Sequence, residues 1–212
     1  MKRPARHASQ TPPARRVVRA QLPVPLRPLT SPERRLVNDW LDRLPYHRPR
    51  FRLLVGDGLV HMHAASFLPH RYIVLDRELL AKRRELGRVL YHEVFHFVWT
   101  RLGNPLRLSY ERLLRREWQE GARGELGWPA EERKLALRRQ EVRRRAPRWR
   151  QYVCESFCDS AAWFCLGERL GHREWTLKPR FRRRRRQWLL AADLLPRLAW
   201  PPGRASGRSR LL

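Results

Sequence analysis

The segment from Leu86 to Gly103 places ionisable side chains inside an apolar helical pattern, and this restricts the fold more than any other part of the chain. Apolar residues recur at three- and four-residue intervals around His92-Glu93-Val94-Phe95-His96, which predicts a helix with one buried side. On such a helix His92 and His96 lie one turn apart on the same face. Polar groups in an apolar interior are costly without partners. The segment therefore predicts a buried polar site.

His92 and His96 have the spacing of two ligands to one Zn²⁺ ion, since imidazoles at positions i and i+4 can occupy two corners of a tetrahedron. Glu93 lies where its carboxylate can reach a zinc-bound water without binding the metal. Zinc lowers the pKa of that water to about 7, and a nearby carboxylate can take its proton during attack on a carbonyl. The motif predicts one Zn²⁺ with Glu93 as general base.

A third protein ligand is expected from a later helix, because catalytic zinc keeps three protein ligands and one open position. Glu155 and Asp159 share a helix face in an apolar segment, so both carboxylates need partners there. Glu155 is the preferred ligand, and Asp159 would accept the second N–H of a ligating histidine. The rival ligands lie in more polar surroundings typical of a solvated helix face, and they are Glu117, Glu120 and Glu125.

These residues resemble the zincin metallopeptidases of the gluzincin, thermolysin-like type. That group pairs His-Glu-x-x-His with a glutamate from a later helix, often followed four residues on by an aspartate. The resemblance implies zinc-dependent hydrolysis of peptide bonds. It also implies that His92, His96 and Glu155 bind the metal, that Glu93 is the base, and that Asp159 supports a ligand.

The order of elements before the motif is similar to minimal zincins of the ImmA/IrrE kind. In that group a strand beside the cleft pairs with extended substrate backbone. Residues 62–67 would be this strand, with Ala64, Ala65 and Ser66 as substrate-binding residues. Together the two resemblances cover about residues 59–166.

A second family competes for the function. The motif followed by Gly103-Asn104-Pro105 and later Tyr110 and Trp118 resembles SprT-like proteases, which act on proteins bound to DNA. That family takes its third ligand from a later histidine, whereas this chain has no histidine between His96 and His172. A third alternative is a non-catalytic basic binding protein in which the metal only stabilises the fold.

Strands precede helices along the chain, which predicts an α+β fold with a small early sheet packed on the motif helix. Ser31 is expected to cap the first helix and Asp76 the helix after the last strand. The other predicted elements are strands at 51–55, 59–67 and 71–75, a motif helix ending at Gly103-Asn104-Pro105, and helices at roughly 106–120, 129–146, 149–167 and 180–197.

The net charge of +27 comes from 47 basic residues, of which 43 are arginine, against 20 acidic ones. Residues 1–30 have six prolines and no acid, which predicts a disordered basic arm, and residues 200–212 predict a flexible tail. The remaining residues, 31–199, are predicted to form a single domain and have a net charge of +17. Arg182–Arg186, with flanking aromatics, could contact nucleic acid or an anionic surface, although a solvated helix face is the preferred interpretation.

The remaining candidates have weaker patterns. His61, His63 and His70 are interpreted as surface or cleft-lining residues rather than a second metal site. Cys154, Cys158 and Cys165 are interpreted as buried apolar residues rather than thiolate ligands. Tyr110, Tyr152, His70 and His172 are equal candidates for stabilising an oxyanion. Three cysteines on one short segment, no apolar leader and no 18-residue apolar stretch predict a cytoplasmic protein without a membrane span. The Arg-rich, acid-free N-terminus leaves an organellar transit peptide as the alternative.

Overall fold

The computed structural model describes residues 24–44, 51–59, 63–167, 172–192 and 194, and this part of the chain is α+β, as predicted. It contains eight α-helices and one four-stranded sheet. The elements are β1 (Leu26–Pro28), α1 (Ser31–Leu41), β2 (Arg52–Gly56), β3 (Ala64–Phe67), β4 (Tyr72–Asp76), α2 (Arg77–Leu80), α3 (Arg83–Arg101), α4 (Asn104–Gln119), α5 (Trp128–Leu135), α6 (Arg139–Arg143), α7 (Pro147–Leu166) and α8 (Pro179–Ala191). No helix in the described ranges is long and apolar enough to cross a bilayer.

The sheet has the strand order β1-β2-β4-β3. Strands β2 and β4 are parallel, whereas β1 pairs antiparallel with β2 and β3 pairs antiparallel with β4. The apolar run Ile73-Val74-Leu75 makes β4 the buried centre of the sheet. Strand β3 lies at the edge, with Ala64 opposite Leu75 and Phe67 opposite Tyr72. One side of β3 therefore has no strand partner among the described residues.

Helices α3 and α7 form the centre of the molecule. Both are buried along most of their length and belong to one apolar cluster that also includes α1, the sheet and α4. Gly87 permits close packing of α3 on α1, since a Cβ there would lie 2.8 Å from the Trp40 ring. The long apolar pattern around the motif thus forms a central helix, as the sequence predicts.

A buried ion network joins α4, α5, α7 and α8. Arg185 has no exposed surface, and its guanidinium donates to Glu117 Oε2 and Glu125 Oε2, each at 2.6 Å. Lys134 Nζ and Tyr152 Oη donate to Glu125 Oε1 at 2.9 and 2.6 Å. Burial raises the pKa of Glu125, but Arg185 and Lys134 outweigh this effect and hold it at about 2. Two carboxylates and two cations thus balance inside the core.

This network corrects two expectations. Glu117 and Glu125, predicted to lie in polar surroundings, are fully buried, while Glu120 is exposed and pairs with Arg184. The run Arg182–Arg186 is not one solvated face, because Arg185 lies in the core and Arg182 donates to the carbonyls of Leu177 and Trp175. Only the other three arginines of the run are exposed, and they are Arg183, Arg184 and Arg186.

The predicted boundary of the domain at residue 31 is too late. Strand β1 lies within the arm predicted as disordered, and Leu29 is buried. Thr30 rather than Ser31 caps α1, and its N–H donates to Glu33 at 2.7 Å. The rest of the arm up to residue 23, the tail at 200–212 and most of the region from residue 193 lie outside the described residues.

Several element boundaries differ from those predicted. Of the expected strand at 59–67, residues 60–62 lie outside the described residues, Ala64–Phe67 forms β3, and the N–H of Leu59 donates to Asp76. The expected helix at 129–146 is divided into α5 and α6, because Arg138 is extended and its N–H donates to the Glu141 carboxylate, which begins a new helix. Asp76 caps the short α2, as predicted. In the expected last helix, α8 ends at Ala191, and residues 193 and 195–197 lie outside the described residues.

Replacing Arg185 with leucine should destabilise the protein strongly, because Glu117 and Glu125 would remain buried without their cation. Removing one partner of a buried ion pair costs roughly 3–5 kcal/mol in the free energy of unfolding. Urea denaturation followed by circular dichroism measures this loss of free energy of unfolding. Arg186→Leu, at the exposed next position of α8, is the matched control and should change stability by less than about 0.5 kcal/mol. Equal stabilities of the two variants would contradict the role given to the network.

Candidate metal centre

Helix α3 presents the motif residues to α7. His92 and Glu93 are buried, with 5% and 8% of their surface exposed, and His96 is partly buried. The helical period places both imidazoles on the side of α3 that packs against α7, where Glu155 lies. The predicted residues His92, His96 and Glu155 are therefore brought together from two helices.

Three potential ligand atoms converge at this point. His92 Nε2 lies 3.1 Å from His96 Nε2 and 3.1 Å from Glu155 Oε2, and His96 Nε2 lies 3.6 Å from Glu155 Oε2. A tetrahedral zinc ion with bonds of about 2.0–2.1 Å would separate its ligand atoms by about 3.3 Å. The three atoms have the chemistry and the spacing of three zinc ligands.

Asp159 orients His92. The Nδ1–H of His92 donates to Asp159 Oδ1 at 2.7 Å, which leaves Nε2 directed at the other ligand atoms. Burial lowers the pKa of His92, but the carboxylates of Asp159, Glu155 and Glu93 together outweigh it and raise the pKa well above its ordinary value. The second oxygen of Asp159 accepts the N–H of Ala130 in α5 at 3.1 Å. Asp159 thus has the supporting position predicted for it.

Gly127 allows this approach of α5 to α7. A Cβ at position 127 would collide with the Asp159 carboxylate. The requirement is for space alone, because the backbone of Gly127 is extended, with φ −173°.

Glu155 has a second partner in Arg133 of α5, whose guanidinium lies 3.2 Å from Glu155 Oε1. Burial raises the pKa of Glu155, but His92, His96 and Arg133 outweigh this and hold it at about 2. The carboxylate is therefore ionised, as a metal ligand must be. Arg133 was not anticipated from the sequence, since its placement depends on how α5 packs against α7.

Glu93 faces strand β3. The Ser66 hydroxyl lies 2.5 Å from Glu93 Oε2 and 2.9 Å from the Glu93 carbonyl oxygen. Ser66 was predicted to contact substrate, and the structure gives it a further contact with the predicted base. The carboxylate of Glu93 is not among the ligand atoms that converge between α3 and α7.

A cavity of about 840 Å³ opens onto the site. The predicted substrate-binding residues Ala64, Ala65 and Ser66 line it along one side, and α5 lines it along another. The candidate ligands His92, His96 and Glu155 line it together with Glu93. The other lining residues are Gly58, Leu59, His63, Leu68, Asp76, Glu78, Arg88, Val89, Trp128, Pro129, Glu132, Arg133 and Glu174. The convergent ligand atoms can therefore be reached from outside.

The candidates for oxyanion stabilisation do not reach this cavity. Tyr110 is buried and its hydroxyl contacts Ser156 and Ser160, while Tyr152 donates to Glu125. His70 and His172 are also absent from its lining. His63 does line the cavity, as the cleft-lining interpretation predicts, whereas His61 lies outside the described residues.

The cysteines correct another expectation. Cys154 Sγ lies 3.6 Å from His96 Nδ1, and with Cys158 these donor atoms form a second group whose members lie within 4.8 Å of one another. A contact with Cys158 and the neighbouring His96 lower the pKa of Cys154 to about 6. Cys154 is thus a polar neighbour of the site rather than an inert apolar residue. Neither thiol of this group lines the cavity.

A third group of potential ligands is already neutralised. Glu85, Glu174 and His172 lie together, but the Arg88 guanidinium pairs with both carboxylates, at 3.0 Å for Glu174, and His172 contacts Glu85 at 2.9 Å. This salt-bridge cluster joins α3 to the segment before α8. Nothing in the sequence spacing indicated it, because its members are up to 89 residues apart.

Protein-family models, curated proteins and solved structures were all compared with this chain, and none of them matches it. Conclusions about function therefore depend on the geometry of the site.

Disturbing Asp159 should weaken zinc binding. We expect Asp159→Asn to lower the zinc affinity by about 10- to 100-fold, the usual effect of removing a partner that orients a ligating histidine. Gly127→Ala should act in the same direction by displacing the carboxylate. Competition with a chromophoric chelator measures both affinities. Gly103→Ala is the control, since its Cβ would have ordinary contacts. Unchanged affinity in both variants would contradict the role of Asp159.

The choice between the two donor groups can be tested by metal substitution. With His92, His96 and Glu155 as ligands, Co²⁺-loaded protein should lack the near-ultraviolet absorption of a cobalt–thiolate bond. Cys154→Ser should retain the metal and Glu155→Ala should lose it, while Glu120→Ala serves as control. Thiolate absorption that disappears in Cys154→Ser would assign the metal to the cysteines instead.

Proposed function

We propose that this protein is a zinc-dependent peptidase of zincin type. The observation that carries the proposal is the convergence of His92, His96 and Glu155 with tetrahedral spacing, beside a carboxylate outside the ligand set and at the wall of an open cavity. A structural zinc site is closed by four protein ligands, whereas a catalytic site leaves one position open. Three ligands and an accessible cavity support the catalytic alternative.

Zinc held by these residues would supply Lewis acidity, polarising a carbonyl and lowering the pKa of water. Glu93 would act as the general base and acid. Its carboxylate would take a proton during attack on the peptide carbonyl and return it to the leaving amine. Ser66 would hold one oxygen of Glu93, which restricts the rotation of the side chain. A base fixed in this way loses less entropy when it reaches the reactive geometry.

Strand β3 would bind the substrate backbone. It is an edge strand, so its unpaired N–H and C=O groups can add an extended peptide to the sheet. The small side chains of Ala64 and Ala65 line the cavity beside Glu93 and leave room for such a strand. This arrangement favours a peptide bond over a small ester or amide, since a compact substrate would not use the strand.

The nucleic-acid alternative has less support from the structure. Contact through Arg182–Arg186 would be limited to the three exposed arginines of the run.

The three cysteines are free, which is compatible with the predicted reducing cytoplasm.

Glu93→Gln tests the reaction. We expect it to lower the kcat/KM for a pool of internally quenched peptides by at least about 100-fold, because an amide cannot accept the proton. The zinc content, measured by plasma mass spectrometry, should not change, since Glu93 is not a ligand. Asp39→Asn, an exposed carboxylate of α1 outside the cavity, is the matched control. Zinc-loaded wild type that cleaves no peptide would favour a structural metal site.

A further inference from the structure

The cavity is acidic, although the chain as a whole is strongly basic. Among the described residues, six carboxylates line it, but only two basic side chains, Arg88 and Arg133. With the histidines neutral, as metal ligands must be, the described lining has a formal charge of −4. A bound divalent ion would reduce this only to −2. The cavity should therefore attract cations and repel anionic substrates.

Four of the six carboxylates have partners within the protein. Asp76 accepts the N–H groups of Leu59 and Glu78, and Glu174 pairs with Arg88. Glu93 contacts Ser66 and Glu155 pairs with Arg133. The other two, Glu78 and Glu132, form no ion pair or side-chain hydrogen bond with any described residue, and both are exposed. Of the four carboxylates that no arginine neutralises, Glu78 and Glu132 are therefore the two whose side chains are exposed and free to bind a ligand.

Glu132 also has an aromatic neighbour. Trp128 lies one turn earlier on α5, so the two side chains share a helix face, and both line the cavity. Trp128 is 57% exposed, which is unusual for the largest apolar side chain in a protein whose other tryptophans in the described ranges are buried or half-buried. An indole face and a carboxylate on the same surface are a favourable arrangement for a guanidinium or ammonium group.

We propose that Trp128 and Glu132 form a subsite for an arginine or lysine side chain of the substrate, so that the protein selects basic peptides. The proposal depends on the proposed peptidase function and specifies its substrate class. The small side chains of β3 would not discriminate between substrate side chains, whereas Trp128 and Glu132 on α5 would. Glu78 adds a second uncompensated charge to the cavity but is not needed for the subsite.

Binding can be measured separately from cleavage. The zinc-loaded Glu93→Gln variant is titrated into fluorescein-labelled alanine-rich octapeptides that carry one arginine, glutamine or glutamate, moved through each position. Fluorescence anisotropy reports the affinity. At one or two positions arginine should bind about 5- to 30-fold more tightly than glutamine, and glutamate should bind more weakly than glutamine. The preference should weaken as salt is raised.

Variants of α5 test the assignment. Adding Trp128→Ala or Glu132→Gln should each reduce the preference for arginine to about 3-fold or less, while binding of the glutamine peptide stays within about 2-fold. Leu135→Ala is the control for Trp128, because Leu135 is exposed on the same helix but outside the cavity. Asp39→Asn is the control for the carboxylate. A preference for arginine that persists in the Trp128→Ala/Glu132→Gln double variant would overturn the subsite.

The two proposals fail in different ways. Hydrolysis by wild type without any preference for arginine would overturn the subsite and leave the peptidase intact. Arginine-selective binding without hydrolysis at any peptide position would support the subsite as a binding site and overturn the peptidase. Equal affinity for the arginine and glutamine peptides at every position would remove the subsite whatever the hydrolysis result.

Discussion

Compensation of buried charge on two sides of α7 organises this molecule. Ser156 and Ser160 face the network around Arg185, where two cations balance two carboxylates. Glu155 and Asp159, each one residue earlier, face α3 and the imidazoles. On that side Arg133 is the one permanent cation in contact with the two carboxylates within the described ranges. A divalent ion would supply the compensation that Arg185 and Lys134 supply on the other side.

The central part of the site could be predicted from the sequence because it depends on local periodicity. Residues four apart on a helix share a face, so the pairs His92–His96 and Glu155–Asp159 followed from spacing and from their apolar surroundings. That α3 packs against α7 then brings the two pairs together. The α+β class followed from the order of strand and helix patterns. These features need little knowledge of long-range geometry.

Other contacts of the site could not be predicted because they join segments that are distant in the sequence. The burial of Arg185 was missed for another reason, because its sequence pattern was misinterpreted. The approach of Ser66 to Glu93 depends on the register of β3, and that of Arg133 to Glu155 depends on how α5 packs against α7. Arg185 is different, because Phe181, Arg185 and Leu189 recur at helical spacing and all three are buried. The four-residue spacing of Phe181 and Leu189 indicates a buried helix face that includes Arg185, but this position was interpreted together with the neighbouring exposed arginines.

Asp159 also links the proposed metal site to the wall of the cavity. One of its oxygens orients His92, and the other accepts the N–H of Ala130 at the start of α5, the helix that carries Trp128, Glu132 and Arg133. A displacement of α5 therefore strains the contact that aims His92, and a metal that fixes His92 restrains α5. If both proposals hold, thermodynamic linkage couples the binding of the ion to the position of α5 and so to the shape of the proposed subsite. The apoprotein and the metal-loaded protein should then differ in selectivity as well as in reactivity.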